Sequence, residues 1–116
     1  QISHINNYFL SERFTESIDL LNKIDIQKLS GKEYELYIKI YVESLFNLGN
    51  YQDAHSMLKE FGDNNMNDSL LFLFGISQNK IGDNLGAKNT FSKILINYPE
   101  SDFSSLAKLQ IKVLSR

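Results

Sequence analysis

The sequence predicts an all-α chain, an α-solenoid of about three antiparallel helix hairpins closed by a C-terminal capping helix. Three observations carry that expectation. First, Gly49-Asn50-Tyr51-Gln52-Asp53-Ala54 and Gly82-Asp83-Asn84-Leu85-Gly86-Ala87 each place a helix-breaking Gly, a capping residue and a small residue at the same offsets. Gly49 and Gly82 stand 33 residues apart, as do Ala54 and Ala87. A weaker copy, Glu12-Arg13-Phe14-Thr15-Glu16-Ser17, precedes the Gly49 copy by 37 residues. A fixed period in this range marks stacked helix-turn-helix units, each shielding its neighbour's apolar face. Second, apolar residues between these turns recur at three- and four-residue steps, the spacing of one helix face. Third, start and stop signals (Ser30 with Glu33, Gly62, Pro99) fall between the stripes.

Ile2, Ile5, Tyr8 and Phe9 open the chain as a short amphipathic helix, and Phe14, Ile18, Leu21 and Ile24 form a second stripe. The link around Ser11 to Arg13 is short enough to force these two helices antiparallel. Residues 25–29 have no clear period and are expected as a loop. Ser30 and Glu33 fit a capping box, each side chain satisfying an orphan backbone N–H of the next helix. That helix is expected to end near Leu48, with Leu36, Ile38, Tyr41, Val42 and Leu45 apolar. Tyr37, Ile40 and Phe46 widen its stripe, as suits an inner helix with neighbours on two sides.

Asn50 suits the N-cap of a partner helix from Tyr51 to the neighbourhood of Phe61, which Gly62 ends. Residues 62–67 read as a polar turn, with Asn67 or Asp68 capping the third inner helix. Asp83 caps its partner, whose stripe is Ala87, Phe91, Ile94 and Leu95. Pro99 stops that helix, and Ser101 or Asp102 starts a last one through Leu114. There Phe103, Leu106, Ala107, Leu109 and Val113 are expected to face inward, with Ser104, Ser105, Lys108 and Lys112 toward water. The expected organisation is one domain, 1-116, with repeats over 1-29, 30-66 and 67-100 and a capping helix over 101-116.

Composition limits the functions open to this chain. At 116 residues it has room for one continuous core and not for two. The apolar share of 42% and charged share of 22% are ordinary for a globular chain. Net charge is −2, and two of the twelve basic residues are Arg, a poor footprint for nucleic acid. The longest apolar run, Leu70 to Phe74, is far short of a membrane span. Cysteine is absent, which removes disulfides, thiolate chemistry and Cys-ligated zinc. The chain opens at Gln1 rather than Met, and the expectation is a processed or trimmed chain whose targeting segment has been removed.

Phe74-Gly75, Gly82-Asp83, Ala87, Phe91 and Pro99, with Gly49, Tyr51, Ala54 and Leu58 one unit earlier, resemble the tetratricopeptide repeat (TPR) family. The likeness covers nearly the whole chain. It departs from the family pattern at Val42, which takes the place of the inner-helix Gly, and at Glu12 and Asn84; the second unit lacks the closing Pro. Tyr98-Pro99-Glu100-Ser101, followed by Phe103 and Ala107, is similar to a narrower bacterial envelope group. That group includes the outer-membrane assembly lipoprotein BamD and the Tol–Pal-associated coordinator.

The resemblance implies a non-enzymatic protein–protein interaction scaffold in outer-membrane protein assembly. It implies a periplasmic protein, lipid-anchored through a Cys upstream of Gln1, with a membrane-protein precursor or barrel-assembly subunit as partner. The competing readings are a cytoplasmic TPR adaptor or regulator, a Tol–Pal-type envelope coordinator, and an enzyme or small-ligand binder on a helical scaffold. In TPR proteins the inner helices line a groove for an extended peptide or partner helix. By that register the groove residues are Asn6, Phe9, Lys39, Glu43, Phe46 and Asn47, joined by Phe72, Ile76, Asn79 and Lys80. Exposed aromatics among polar groups suit an apolar or aromatic-ended peptide. A clamp on a peptide carboxylate is disfavoured, because Glu43 sits among the few cations that would hold the anion.

No catalytic constellation is expected. His4 and His55 lie on separate helices without a ligand-like neighbour at i+4, and no Gly-x-Ser-x-Gly elbow is present. The stretch Asp63-Asn64-Asn65-Met66-Asn67 hints at a calcium loop, but that loop needs Gly and Glu where Asp68 and Phe74 stand. Gly82 and Gly86 precede no Lys-Ser or Lys-Thr, so no phosphate loop forms. Neither a cofactor nor a metal is expected, nor is nucleic acid as a partner.

Overall fold

The computed structural model describes residues 2–116, and these are all-helical. Seven α-helices follow in order: α1 (Ile2–Leu10), α2 (Phe14–Leu21), α3 (Gly31–Asn47), α4 (Tyr51–Phe61), α5 (Asp68–Lys80), α6 (Asn84–Asn97) and α7 (Asp102–Leu114). Single 3-10 turns at Ile26–Lys28 and Asp63–Asn65 occupy the stretches expected as loops. The chain divides into two compact units, Gln1–Met57 and Leu58–Arg116, with the boundary inside α4.

In the first unit α1, α2 and α3 each pack against the other two. Ile2, Ile5, Leu21 and Ile40 are buried at their centre, bordered by Phe9, Leu20, Ile24, Leu29, Leu36, Tyr37 and Tyr41. Ile24 serves this core from beyond the end of α2. The Tyr41 hydroxyl donates to Asn22 Oδ1 at 2.7 Å, fastening α3 to the end of α2. At the start of α3 both halves of the capping box form: Ser30 Oγ accepts from the Glu33 N–H at 3.2 Å, and Glu33 Oε1 from the Ser30 N–H at 2.9 Å. Those hydrogen bonds favour the ionised carboxyl and hold the Glu33 pKa below its usual value.

One turn ends α1, α3 and α5 alike. The N–H groups of Arg13, Asn50 and Asp83 donate to carbonyls five residues back, at Tyr8, Leu45 and Gln78, over 2.9, 2.8 and 2.8 Å. The residue before each donates three back, at 2.9, 3.0 and 3.1 Å. This double bond pattern needs a left-handed residue between helix and return. Gly49 and Gly82 supply it at φ +79° and +95°, and in the first turn Glu12 adopts φ +61°. Four or five residues later a small side chain is fully buried in each copy: Ser17, Ala54 and Ala87. Asn50 and Asp83 then cap the returning helix, accepting from the N–H groups of Asp53 at 3.3 Å and Gly86 at 2.9 Å.

In the second unit α5, α6 and α7 pack in the same three-way manner. A Cβ on Gly75 would stand 2.5 Å from Cε1 of Phe91, so α6 presses its ring directly onto the α5 backbone. One turn along, the Thr90 hydroxyl donates to Gln78 Oε1 at 2.6 Å, a buried polar pair that fixes the same crossing. Phe72 packs its ring against Phe91 and Phe103, with centroids at 5.5 and 5.4 Å. Asn67, rather than Asp68, caps α5 by accepting from the Leu70 N–H, and Ser101 caps α7.

The inward face of α7 differs from the expected one. Ala107 and Ser104 are buried and Phe103, Gln110, Ile111 and Leu114 half-buried, whereas Leu106, Leu109 and Val113 are exposed. Two anchors set this rotation. Ser101 Oγ donates to Asp68 Oδ2 at 2.6 Å while accepting from the Phe103 N–H, and the Phe103 ring docks on Phe72. With those contacts made, only the Ser104–Ala107 side of the helix turns toward α5 and α6.

Two substitutions test these local constraints. Gly75→Ala should lower stability by about 1–3 kcal/mol, because overpacking onto the buried Phe91 outweighs the ~1 kcal/mol that Ala gains in helix propensity. A raised urea midpoint would contradict the crossing described above. Glu12→Gly should raise stability by about 0.5–1 kcal/mol, by relieving a left-handed side chain while loosening the unfolded chain.

Candidate interaction surfaces

The ten groove residues expected from the sequence fall on α1, α3 and α5. In the first unit, Asn6 and Phe9 on α1 are half-exposed. The Phe9 ring meets Phe14 edge-on at 5.7 Å and borders the buried core, so it presents one side only. Lys39, Glu43, Phe46 and Asn47 follow one another along a single face of α3, at the i, i+4, i+7, i+8 spacing. Lys39 and Asn47 are exposed; Glu43 and Phe46 are half-buried. Asn47 Nδ2 donates to the Glu43 carbonyl at 2.8 Å, and the Phe46 ring tilts onto Tyr51 at 5.4 Å.

In the second unit Phe72, Ile76, Asn79 and Lys80 occupy the matching face of α5. Each stands 33 residues after its counterpart on α3: Lys39 and Phe72, Glu43 and Ile76, Phe46 and Asn79, Asn47 and Lys80. Ile76 and Asn79 are half-exposed and Lys80 exposed. Phe72 is largely committed to Phe91 and Phe103, so its ring serves packing first. Each unit therefore presents one helix face of mixed character. That of α3 carries a cation, an anion, an aromatic and an amide, and that of α5 is more apolar.

The charges on α3 do not favour a bound anion. Burial pushes the Glu43 carboxyl above its usual pKa, and Lys39 one turn away opposes that shift in part. Elsewhere charged groups pair across short distances in the open: Arg13 with Glu16, its Nε 3.0 Å from Oε1, and Lys93 with Asp63. The ammonium of Lys93 holds the Asp63 carboxyl below its usual value. His4 is exposed, with its ring edge-on to Tyr8 at 5.4 Å. Among the described residues no three His, Asp or Glu side chains converge as metal ligands would. No described helix is long and apolar enough to cross a membrane.

One feature of α3 had no single-residue signal. Tyr34, Tyr37 and Tyr41 form a row: Tyr34 stacks on Tyr37 with centroids 6.0 Å apart, and Tyr37 meets Tyr41 edge-on at 5.8 Å. Their i, i+3, i+7 spacing places them on one side of the helix, and Tyr37 and Tyr41 belong to the rim of the core. Burial and the two neighbouring phenols raise the pKa of Tyr37.

The raised Glu43 pKa carries a pH prediction. The native state holds its proton more tightly than the unfolded chain, so this group's favourable contribution is present at low pH and is lost as pH rises through the folded pKa. Glu43→Gln should therefore be more stable than the parent at pH 7, by less than about 1 kcal/mol given the partial exposure. Denaturant midpoints of the two proteins should converge below the ordinary carboxylate range. Set against protein-family models, curated proteins and solved structures, the chain matches none of them.

Proposed function

We propose that this chain is a non-enzymatic protein–protein interaction scaffold of the tetratricopeptide type, working in the assembly of outer-membrane proteins in a bacterial envelope. The observation that carries the reading is the recurrence of one backbone turn, bond for bond, at the ends of α1, α3 and α5. Each copy is followed by a buried small residue, Ser17, Ala54 or Ala87. A chain that repeats its turn at this period builds similar hairpins and presents similar faces again and again, which suits recognition of an extended polypeptide. The matching positions on α3 and α5, with Asn6 and Phe9 on α1, are the proposed contact residues.

The envelope setting draws on the Tyr98-Pro99-Glu100-Ser101 turn. Its Tyr98 hydroxyl donates to the Met66 carbonyl at 3.4 Å and its Ser101 to Asp68, which ties the start of α7 back to the start of α5. The partner class that fits the half-exposed aromatic and aliphatic groups is an apolar or aromatic-ended peptide from a membrane-protein precursor. The location would then be periplasmic, with an outer-membrane lipid anchor.

Binding of synthetic peptides ending in Phe tests this reading. Phe46→Ala combined with Ile76→Ala should weaken binding about tenfold, the loss expected for truncated apolar anchors, with far-UV circular dichroism unchanged. Phe72 is left intact in that variant because its ring supports Phe91 and Phe103. Affinity equal to the parent's would remove these residues from the contact surface.

A further inference from the structure

We propose that the outward face of α7 docks an amphipathic helix of another protein, one whose apolar stripe is flanked by acidic side chains. Leu106, Leu109 and Val113 are 44%, 59% and 53% exposed, and their spacing of three and four residues makes a straight seam along the helix. A seam of that spacing is what one helix offers another for knobs-into-holes packing. It lies opposite the Ser104–Ala107 side that packs into the second unit.

Charge selects the partner. Lys108 and Lys112 run along one edge of the seam, both exposed, and Arg116 follows at its end. Among the described residues neither lysine is in an ion pair. Asp102 is the one acid on the helix, at its first residue. A chain of net charge −2 thus concentrates positive charge beside its exposed apolar stripe. Glu or Asp at the flanking positions of a facing helix would complete that edge.

A second copy of this chain fits less well. Antiparallel pairing about Leu109 would bring Lys108 of each copy toward Lys112 of the other, and like charges there oppose association. The face shares no residue with the proposed contact residues of α1, α3 and α5, so the two proposals stand or fall independently.

The test uses the full chain and two synthetic helical peptides with the same leucine stripe, one flanked by Glu and one by Lys. Non-specific attraction to a net-negative chain favours the Lys-flanked peptide, so the opposite preference reports the local field of α7. The expected result is about tenfold tighter binding of the Glu-flanked peptide, weakening with salt. Lys108→Glu with Lys112→Glu should reverse the preference, and Leu109→Ser, at an exposed site, should weaken the Glu-flanked peptide about tenfold without loss of helicity. Equal binding of the two peptides, or binding indifferent to Leu109→Ser, would overturn the proposal. So would self-association that Leu109→Ser abolishes, or binding to anionic phospholipid vesicles through this face without peptide binding.

Discussion

The left-handed residue that closes α1, α3 and α5 is the constraint from which the hairpins follow. It turns the chain within two or three residues, so the next helix must return alongside the one just completed. The five-residue back-bond then determines where that return begins, and hence which side chain first meets the preceding helix. In all three copies that side chain is small and fully buried, as Ser17, Ala54 or Ala87. A larger group there would hold the two helix axes apart and uncover the residues beyond, Leu21 after the first turn and Phe91 after the third, each fully buried. Turn, crossing and core are therefore links in one chain of cause, starting from a single backbone conformation.

Much of this was legible because it is local. Caps at Ser30, Asn50 and Asp83 depend on residues three positions away at most and form as read, and of the two starts open for the last helix, Ser101 and Asp102, Ser101 makes the cap. Gly49, Gly62 and Gly82 mark helix ends in the sequence and take positive φ in the structure. Glu12 shows where residue type stops being informative. Its neighbours force the same turn, and a non-glycine residue accepts the left-handed conformation at some cost. The alignment at offset 37 was the only signal for it.

The rotation of α7 was not legible, because long-range contacts decide it. Asp68 and Ser101 are 33 residues apart, and Phe72 and Phe103 are 31 apart. An apolar-face count ranks Leu106, Leu109 and Val113 above Ser104, yet the helix buries the serine. The contact residues of α3 and α5 show a related limit. Phe9, Phe46 and Phe72 each use one side of the ring for packing, so a two-state reading of core against surface does not describe them. The tyrosine row on α3 likewise joins two roles, with Tyr41 bonded to Asn22 and Tyr37 half-covered beside it.

Size rather than hydrophobicity is what the helix crossings select. Ser17, Ser77 and Ser104 are all buried. A serine tolerates that position because its hydroxyl can bond back to its own helix, as Ser17 does to the Arg13 carbonyl at 2.8 Å and Ser77 to the Phe74 carbonyl at 2.7 Å. In those two the polar atom is satisfied within the helix and costs the interface little, whereas the equally buried Ser44 hydroxyl has no hydrogen-bond partner; in each the side chain stays nearly as small as alanine. Gly75 takes the same logic to its limit, with no side chain at all beneath the Phe91 ring. Leucine fails at such places for the reason it succeeds elsewhere: it fills space. Once the Ser104–Ala107 face of α7 has gone inward, Leu106, Leu109 and Val113 have no place left in the core, and they come to the surface as a consequence of close packing on the opposite side.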